Sequence, residues 1–241
     1  EKCRKAVGHL GCTLTRESTQ GPYYWNSTVR QDITEGKPGI PFRLTIRVLD
    51  TNTCEPLQNA LVDIWQCDAV GLYSHFIALS QGIIEGRVDN ETFLRGLSLT
   101  NADGVAQFET IYPGWYRGRA THIHVKVHSS SKENIIMVSN SSGVYSGGHV
   151  SHTGQLYFND RFTDRVARER PYSTHKIART RNVEDEIYMI DNDAKTQLDV
   201  KFFRANDFRR GLTATVTLGV DPTAETKEYG QQYDDSDGGE E

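Results

Sequence analysis

The 241-residue sequence has no long apolar run: its longest aliphatic stretch is the four residues Ile135 to Val138. A helix needs roughly 20 apolar residues to cross a bilayer, so the chain does not read as an integral membrane protein and no membrane partner is expected. It also has no excess of positive charge. There are 27 basic residues against 32 acidic ones, and six of those acids, with no base, fall between Glu228 and Glu241, leaving a body of 27 bases and 26 acids at +1. Phosphate binding depends on clustered Lys and Arg, which argues against nucleic acid and for a small-molecule ligand. Cysteine is sparse, and Cys3, Cys12, Cys54 and Cys67 match no structural zinc spacing. There is no HExxH-like helix, no internal repeat and no sustained helical periodicity. Helical bundles, crossover α/β folds and helix-borne zinc hydrolases are thereby excluded.

What is present is 37% hydrophobic and 10% aromatic residues, enough to bury the core of one sizeable domain. Phe42, Leu44, Ile46 and Val48 alternate with Arg43, Thr45 and Arg47, and Leu212, Ala214, Val216 and Leu218 alternate with threonines, the period-2 pattern of strands. Further strands are expected over Ala60 to Cys67, Val105 to Ile111, Thr121 to His128, Gln155 to Phe158 and Leu198 to Phe203, with a turn at Asn101-Ala102-Asp103-Gly104. Helix is expected for a turn or two around Thr163 to Arg168. The fold class is all-β, a β-sandwich with long loops. Residues 1–20 read as an N-terminal segment, 21–228 as one domain, and 229–241 as a disordered acidic tail. An even cysteine count, sequons at Asn26, Asn90 and Asn140, and a start at Glu1 are those of a mature secreted glycoprotein with two disulfides. Cys3–Cys12 and Cys54–Cys67 are the expected pairs, each closing a short loop.

The most informative segment runs from Tyr112 to His128, and its second half is a strand. Ile123, Val125 and Val127 take the apolar face, so His122 and His124 share the other, about 6.5–7 Å apart along the chain. Two imidazoles so placed can turn onto one metal ion, or can belong to a solvated polar face continued by Lys126 and His128. A zinc site needs a third His or a carboxylate; a cupin needs Gly where Tyr116 stands and a Glu nearer than Glu133. The remaining metal reading uses phenolate, which a hard ferric ion can hold as an anionic ligand, with Tyr116 just upstream and Tyr112 as its competitor.

These residues belong to a wider pattern. Gly21-Pro22-Tyr23-Tyr24 followed by Arg30 and Gly36, the run Ala60 to Ser74, Pro113-Gly114-Trp115-Tyr116, Arg119-Ala120-Thr121-His122-Ile123-His124 and Gln155-Leu156-Tyr157-Phe158 occur in the order found in intradiol ring-cleavage dioxygenases, which the chain resembles over most of its length. The resemblance implies non-haem Fe(III) held by Tyr73, Tyr116, His122 and His124. It implies that Tyr116, Arg119 and Gln155 act in catalysis, that Pro22, Tyr23, Arg119 and Gln155 border the substrate, and that catechols are opened with O2 to cis,cis-muconate-type products. Only twenty residues precede Gly21, too few for the helical dimer contact of bacterial catechol enzymes, and only five separate Tyr116 from His122. A monomer with an open pocket mouth follows, similar to the secreted single-chain branch of fungi and plant-feeding arthropods. The competing expectations are a secreted, non-catalytic β-sandwich binding module and a zinc or cupin-like metalloenzyme.

Overall fold

A computed structural model of the chain describes residues 12–83, 88–191, 194–204 and 206–226. Its elements, in chain order, are β1 (Pro41–Asp50), β2 (Leu61–Trp65), α1 (Ile77–Ser80), β3 (Arg95–Leu99), β4 (Val105–Ile111), β5 (His122–Ser129), β6 (Met137–Val138), β7 (Tyr145–Ser146), β8 (His149–Phe158), α2 (Asp160–Val166), α3 (Glu186–Asp191), β9 (Gln197–Leu198), β10 (Lys201–Phe202) and β11 (Leu212–Val220). One sheet has the order β10-β11-β1-β4 and the other β3-β2-β5-β8-β9, with β6-β7 a separate hairpin. Most neighbours are antiparallel, but β1 runs parallel to β11 from Phe42↔Leu212 to Asp50↔Val220.

The two alternating stretches behave as their period requires. Leu44, Ile46 and Val48 of β1, with Ala214, Val216 and Leu218 of β11, face Val62, Ile64, Ile123, Val125, Val127 and Leu156 of the second sheet in one core cluster. Full burial of each such aliphatic side chain contributes about 1.5–3 kcal/mol. The expected β-sandwich is therefore present, and the expected helix appears as α2, started by Asn159, whose side chain accepts from the Arg161 and Phe162 amides.

The second sheet departs from the expected one-sided pattern. Every residue of β5 is buried, including Lys126 and His128, so the polar face is not solvated. It is roofed by the N-terminal chain. The Ser18 amide donates to the Thr153 carbonyl (2.9 Å), Gln155 Nε2 to the Thr19 carbonyl (2.9 Å) and Tyr24 Oη to Asp63 Oδ2 (3.1 Å), while Val29 bridges to Leu97. The roof has no periodicity of its own, which is why the pattern along β5 could not announce it. His149 and His152 lie on β8, and the Leu198 to Phe203 strand is split into β9 and β10. β3 had no alternating signal because four of its five residues, Arg95 to Ser98, are buried in succession.

The cysteine pairing also differs from expectation. Cys12 bonds to Cys54, their Cα atoms 5.3 Å apart, and Cys67 is free and buried. The reason is tertiary: Thr15 pairs with Gly219 at the end of β11, carrying the N-terminal chain past the turn that follows β1, where Cys54 sits. Cys67 instead continues from β2 into the wall of an aromatic cluster with Tyr23, Trp65, Tyr73 and Phe76. Cys3 and the 229–241 tail lie outside the described residues. Among the described residues no helix is long and apolar enough to cross a membrane.

Candidate metal centre

Three loops and two strands bring the predicted side chains to one end of the roofed face. After β2 the chain turns tightly around Asp68, whose Oδ1 accepts from the Val70 and Leu72 amides (3.0 Å each) and whose Oδ2 meets Lys37 Nζ at 2.7 Å. Gly71 has φ +86°, and a Cβ there would run into the Trp115 carbonyl, so glycine is required for the turn that delivers Tyr73. Tyr73 is fully buried, and its hydroxyl has no hydrogen-bond partner among the described residues. The Pro113-Gly114-Trp115 stretch is fixed by Trp115 Nε1 donating to the Ile177 carbonyl (2.8 Å) and by His175 Nε2 at 2.8 Å from the Trp115 carbonyl. This anchoring sets Tyr116 against Tyr73, ring centroids 5.6 Å apart.

Packing sets Tyr112 and Tyr116 in different surroundings. Tyr112 belongs to the inter-sheet core beside Phe158, and its hydroxyl is 2.7 Å from Thr163 Oγ1, engaged away from the histidines. Tyr116 lies 5.7 Å from His122, ring to ring. His122 and His124 converge, their Nε2 atoms 3.0 Å apart. His122 Nδ1 is 2.7 Å from the Ala120 carbonyl and must carry the proton there, leaving the Nε2 lone pair facing inward. His124 stacks on Trp65 (4.7 Å, 6°), and Gly21, with φ +71°, passes so close that a Cβ would sit 3.2 Å from its Cε1.

Burial disfavours the charged forms throughout. It raises the pKa of Tyr73, with Tyr116 adding to the effect, and it raises that of Tyr116 although Arg119 opposes it. Both histidines are held well below the usual value, by burial first and then by nearby positive charge. The result is two neutral imidazoles with available lone pairs and two phenols that need a cation to ionise.

Arg119 stands beside this group. Nη1 reaches Tyr116 Oη (3.3 Å), Nη2 donates to Gln155 Oε1 (2.5 Å), and Nε meets Asp185 at 3.1 and 3.2 Å. Gln155 Oε1 also accepts from Tyr157 Oη at 2.9 Å. Tyr23 stacks on Tyr73 (4.4 Å, 19°) and meets Tyr116 edge-on (5.6 Å), with Pro22 half-buried before it. All eight predicted site residues thus lie within this region.

Sequence reasoning missed Asp185, Tyr157 and Arg95. Asp185 is fully buried. It accepts from the Ala120 amide (2.8 Å) and caps α3 through the Ile187 and Tyr188 amides. An Asp ahead of Glu186-Ile187-Tyr188 is a legible helix start, but nothing local ties it to a residue 66 positions upstream.

The sequence model of the dioxygenase family, described as Dioxygenase, matches residues 19–202. The protocatechuate 3,4-dioxygenase beta chain of Burkholderia cepacia is 33% identical over 100 residues, 38% of this chain and 40% of that relative, so the matched stretch spans less than half of it. The intradiol ring-cleavage dioxygenase from Tetranychus urticae superposes with a TM-score of 0.74 at 30% identity, covering 89% of this chain and 98% of that one. The dioxygenase domain of a dioxygenase and carbohydrate-binding fusion protein from Streptomyces sp. SirexAA-E superposes with a TM-score of 0.55 at 26% identity, covering 87% and 99%. With the family match over most of its length and this fold around the paired tyrosines and histidines, the chain belongs to the intradiol ring-cleavage dioxygenases.

Proposed function

We propose that this protein is a secreted, monomeric Fe(III) enzyme that opens catechols between the two hydroxylated carbons with O2, giving cis,cis-muconate-type products. The observation that carries the reading is the meeting of two imidazole Nε2 atoms, 3.0 Å apart, beside the buried Tyr73 ring, 6.1 Å from that of His124, whose hydroxyl has no hydrogen-bond partner among the described residues. The donor set of two phenols and two imidazoles fits a hard ferric ion better than zinc, whose sites are built from thiolate, imidazole and carboxylate. Tyr73, Tyr116, His122 and His124 would hold the metal, which supplies Lewis acidity toward the two oxygens of a catechol.

The chain's own groups do the rest. The tautomer fixed by the Ala120 carbonyl keeps the His122 lone pair inward. Tyr116 is the proton acceptor for an incoming catechol hydroxyl, and the Arg119 guanidinium 3.3 Å away favours its anionic form. Burial alone would weaken the charge on Arg119, but Tyr116 and Asp185 more than offset this, so it stays cationic and stabilises negative charge developing on the substrate ring. Gln155 and Asp185 hold its orientation, and the Tyr23 ring forms the pocket wall. Secretion is supported by the Cys12–Cys54 bond and by exposure of Asn26, Asn90 and Asn140, the three sequon asparagines.

Elemental analysis and visible spectroscopy test the proposal. The protein is expected to carry one iron and a tyrosinate-to-iron absorption band, shifted or weakened in Tyr73→Phe and Tyr116→Phe and unchanged in Tyr112→Phe. Catechol is expected to yield cis,cis-muconate. Zinc as the sole bound metal, an iron-loaded protein without colour, or a yellow semialdehyde product refutes it, and a stable dimer by light scattering refutes the monomer.

A further inference from the structure

Arg95 takes no part in the chemistry described above, yet it is one of the most deeply buried side chains in the molecule, 1% exposed. It lies at the start of β3, in register with Trp65, which stacks on His124. Its guanidinium is spread over three acceptors on two separate loops. Nε donates to Ser74 Oγ (2.9 Å) and Nη2 to the Ser74 carbonyl (2.7 Å), while Nη1 donates to the Tyr23 carbonyl (2.7 Å). The Ser74 hydroxyl in turn donates a hydrogen bond to the Phe93 carbonyl (2.7 Å). All three acceptors are uncharged, and the Phe76 ring lies 5.6 Å from the guanidinium carbon. Burial lowers its pKa to about 10, so it remains a cation at neutral pH.

A buried cation with no hydrogen-bonded carboxylate among the described residues is costly, and a purely packing role would be filled better by an apolar residue. What the guanidinium provides is a rigid fork of donors that no other side chain offers. Here the fork joins the residue after Tyr73 to the backbone of Tyr23, the two residues whose rings stack at 4.4 Å. One of these rings carries a proposed ligand atom and the other is the proposed pocket wall.

We propose that Arg95 is a positioning residue for the ring-cleavage site: by clamping the Tyr23 carbonyl to Ser74 it fixes the stack of Tyr23 on Tyr73, and so sets both the ligand phenol and the wall against which a catechol lies. The proposal rests on the reading of Tyr73 as a ligand. A small displacement of a positioned group suffices to lower a rate strongly, so the effect belongs in kcat as well as KM.

The test compares wild type with Arg95→Lys, which keeps the charge but not the fork, and Arg95→Gln. Surface Arg43→Lys, at the exposed Arg43–Glu109 pair, is the control. Each full-length protein is assayed for iron content, for its visible band, for kcat and KM with catechol, and for amide hydrogen exchange over residues 19–25 and 72–77. The expected result is a shifted band at unchanged iron content, a ~10- to 100-fold lower kcat/KM in R95Q and a smaller loss in R95K. Both variants should also show faster exchange in both stretches together. If R95K folds and R95Q does not, R95K alone decides. A wild-type band that neither variant moves, or exchange that rises in one stretch only, overturns the clamp. A wild type that binds iron without a band instead overturns the ligand assignment of Tyr73, and the exchange data then decide the clamp by themselves.

Discussion

Replacing Asp185 by Asn removes one charge and almost no volume, and its consequences follow from the contacts of the two carboxylate oxygens. Oδ1 accepts from Arg119 Nε and the Ile187 and Tyr188 amides, and Oδ2 accepts from Arg119 Nε and the Ala120 amide. Whichever way the new amide turns, its NH2 group faces at least one N–H. An unsatisfied buried donor costs about 1–3 kcal/mol, and breaking a buried ion pair about 3–5 kcal/mol; Asp185 is fully buried and Arg119 only 14% exposed, so screening by solvent is minor. Taking 3–5 kcal/mol, and a shift of ~2–4 °C per kcal/mol for a chain of this size, the melting midpoint of D185N should fall by ~6–20 °C. The substitution also loosens two groups at the site: Arg119 itself, and the Ala120 peptide whose carbonyl fixes His122. A ~10- to 100-fold loss in kcat/KM is expected below the melting range, with kcat carrying much of it. Thermal unfolding by circular dichroism and steady-state oxygen uptake with catechol measure the two effects. A D185N protein indistinguishable from wild type in both would refute the assignment of Asp185 as the anchor of Arg119.

Gln155→Ala deprives Arg119 and Tyr157 of a shared acceptor, and a hydrogen bond to a charged group contributes about 1.5–3 kcal/mol, so kcat/KM should fall ~10- to 100-fold while the melting midpoint moves less than in D185N. Cys12→Ser opens a loop with a sequence separation of 42, for which chain entropy gives about 4 kcal/mol; calorimetry should record a melting midpoint lower by ~8–16 °C, and an unshifted midpoint would dismiss the bond as a contributor to stability. Burial raises Asp63 from its ordinary 3.8 to about 7, against the Tyr24 hydrogen bond and the positive charges of Lys126 and Arg95, with His128 Nε2 4.0 Å away. The folded protein therefore holds that proton where the unfolded chain has lost it, and this group's contribution to stability declines as pH rises from about 4 to about 7. Subtracting the Asp63→Asn melting curve from the wild-type curve isolates this decline, and a flat difference across that window would show that Asp63 does not titrate there.

The strand pattern of β1 and β11 was legible because each has one face in the inter-sheet core and the other exposed or half-exposed, the condition under which a period of 2 reports burial. β5 was legible only in half. Ile123, Val125 and Val127 marked the core face, whereas the burial of His122, His124, Lys126 and His128 depends on residues 18–30, more than 90 positions away, crossing the sheet as an irregular roof. The turn at Asn101 to Gly104 was legible for a local reason: Asn101 Oδ1 accepts from the Asp103 and Val105 amides within the turn itself.

By itself, the amino-acid order determined the β-sandwich class, the His122-x-His124 pair on one strand face, and the ordered blocks around Tyr73, Tyr116, Arg119 and Gln155, because side-chain alternation and short motifs are properties of neighbours in the chain. Only the tertiary structure decided that Thr163 engages Tyr112 away from the histidines, that Cys12 and not Cys67 pairs with Cys54, and that Asp185 meets Arg119 and Arg95 the Tyr23 carbonyl. Each of those outcomes is a contact between residues 42 to 72 positions apart. Such contacts are fixed by which surfaces the packed sheets present to one another, and no local period or propensity encodes them.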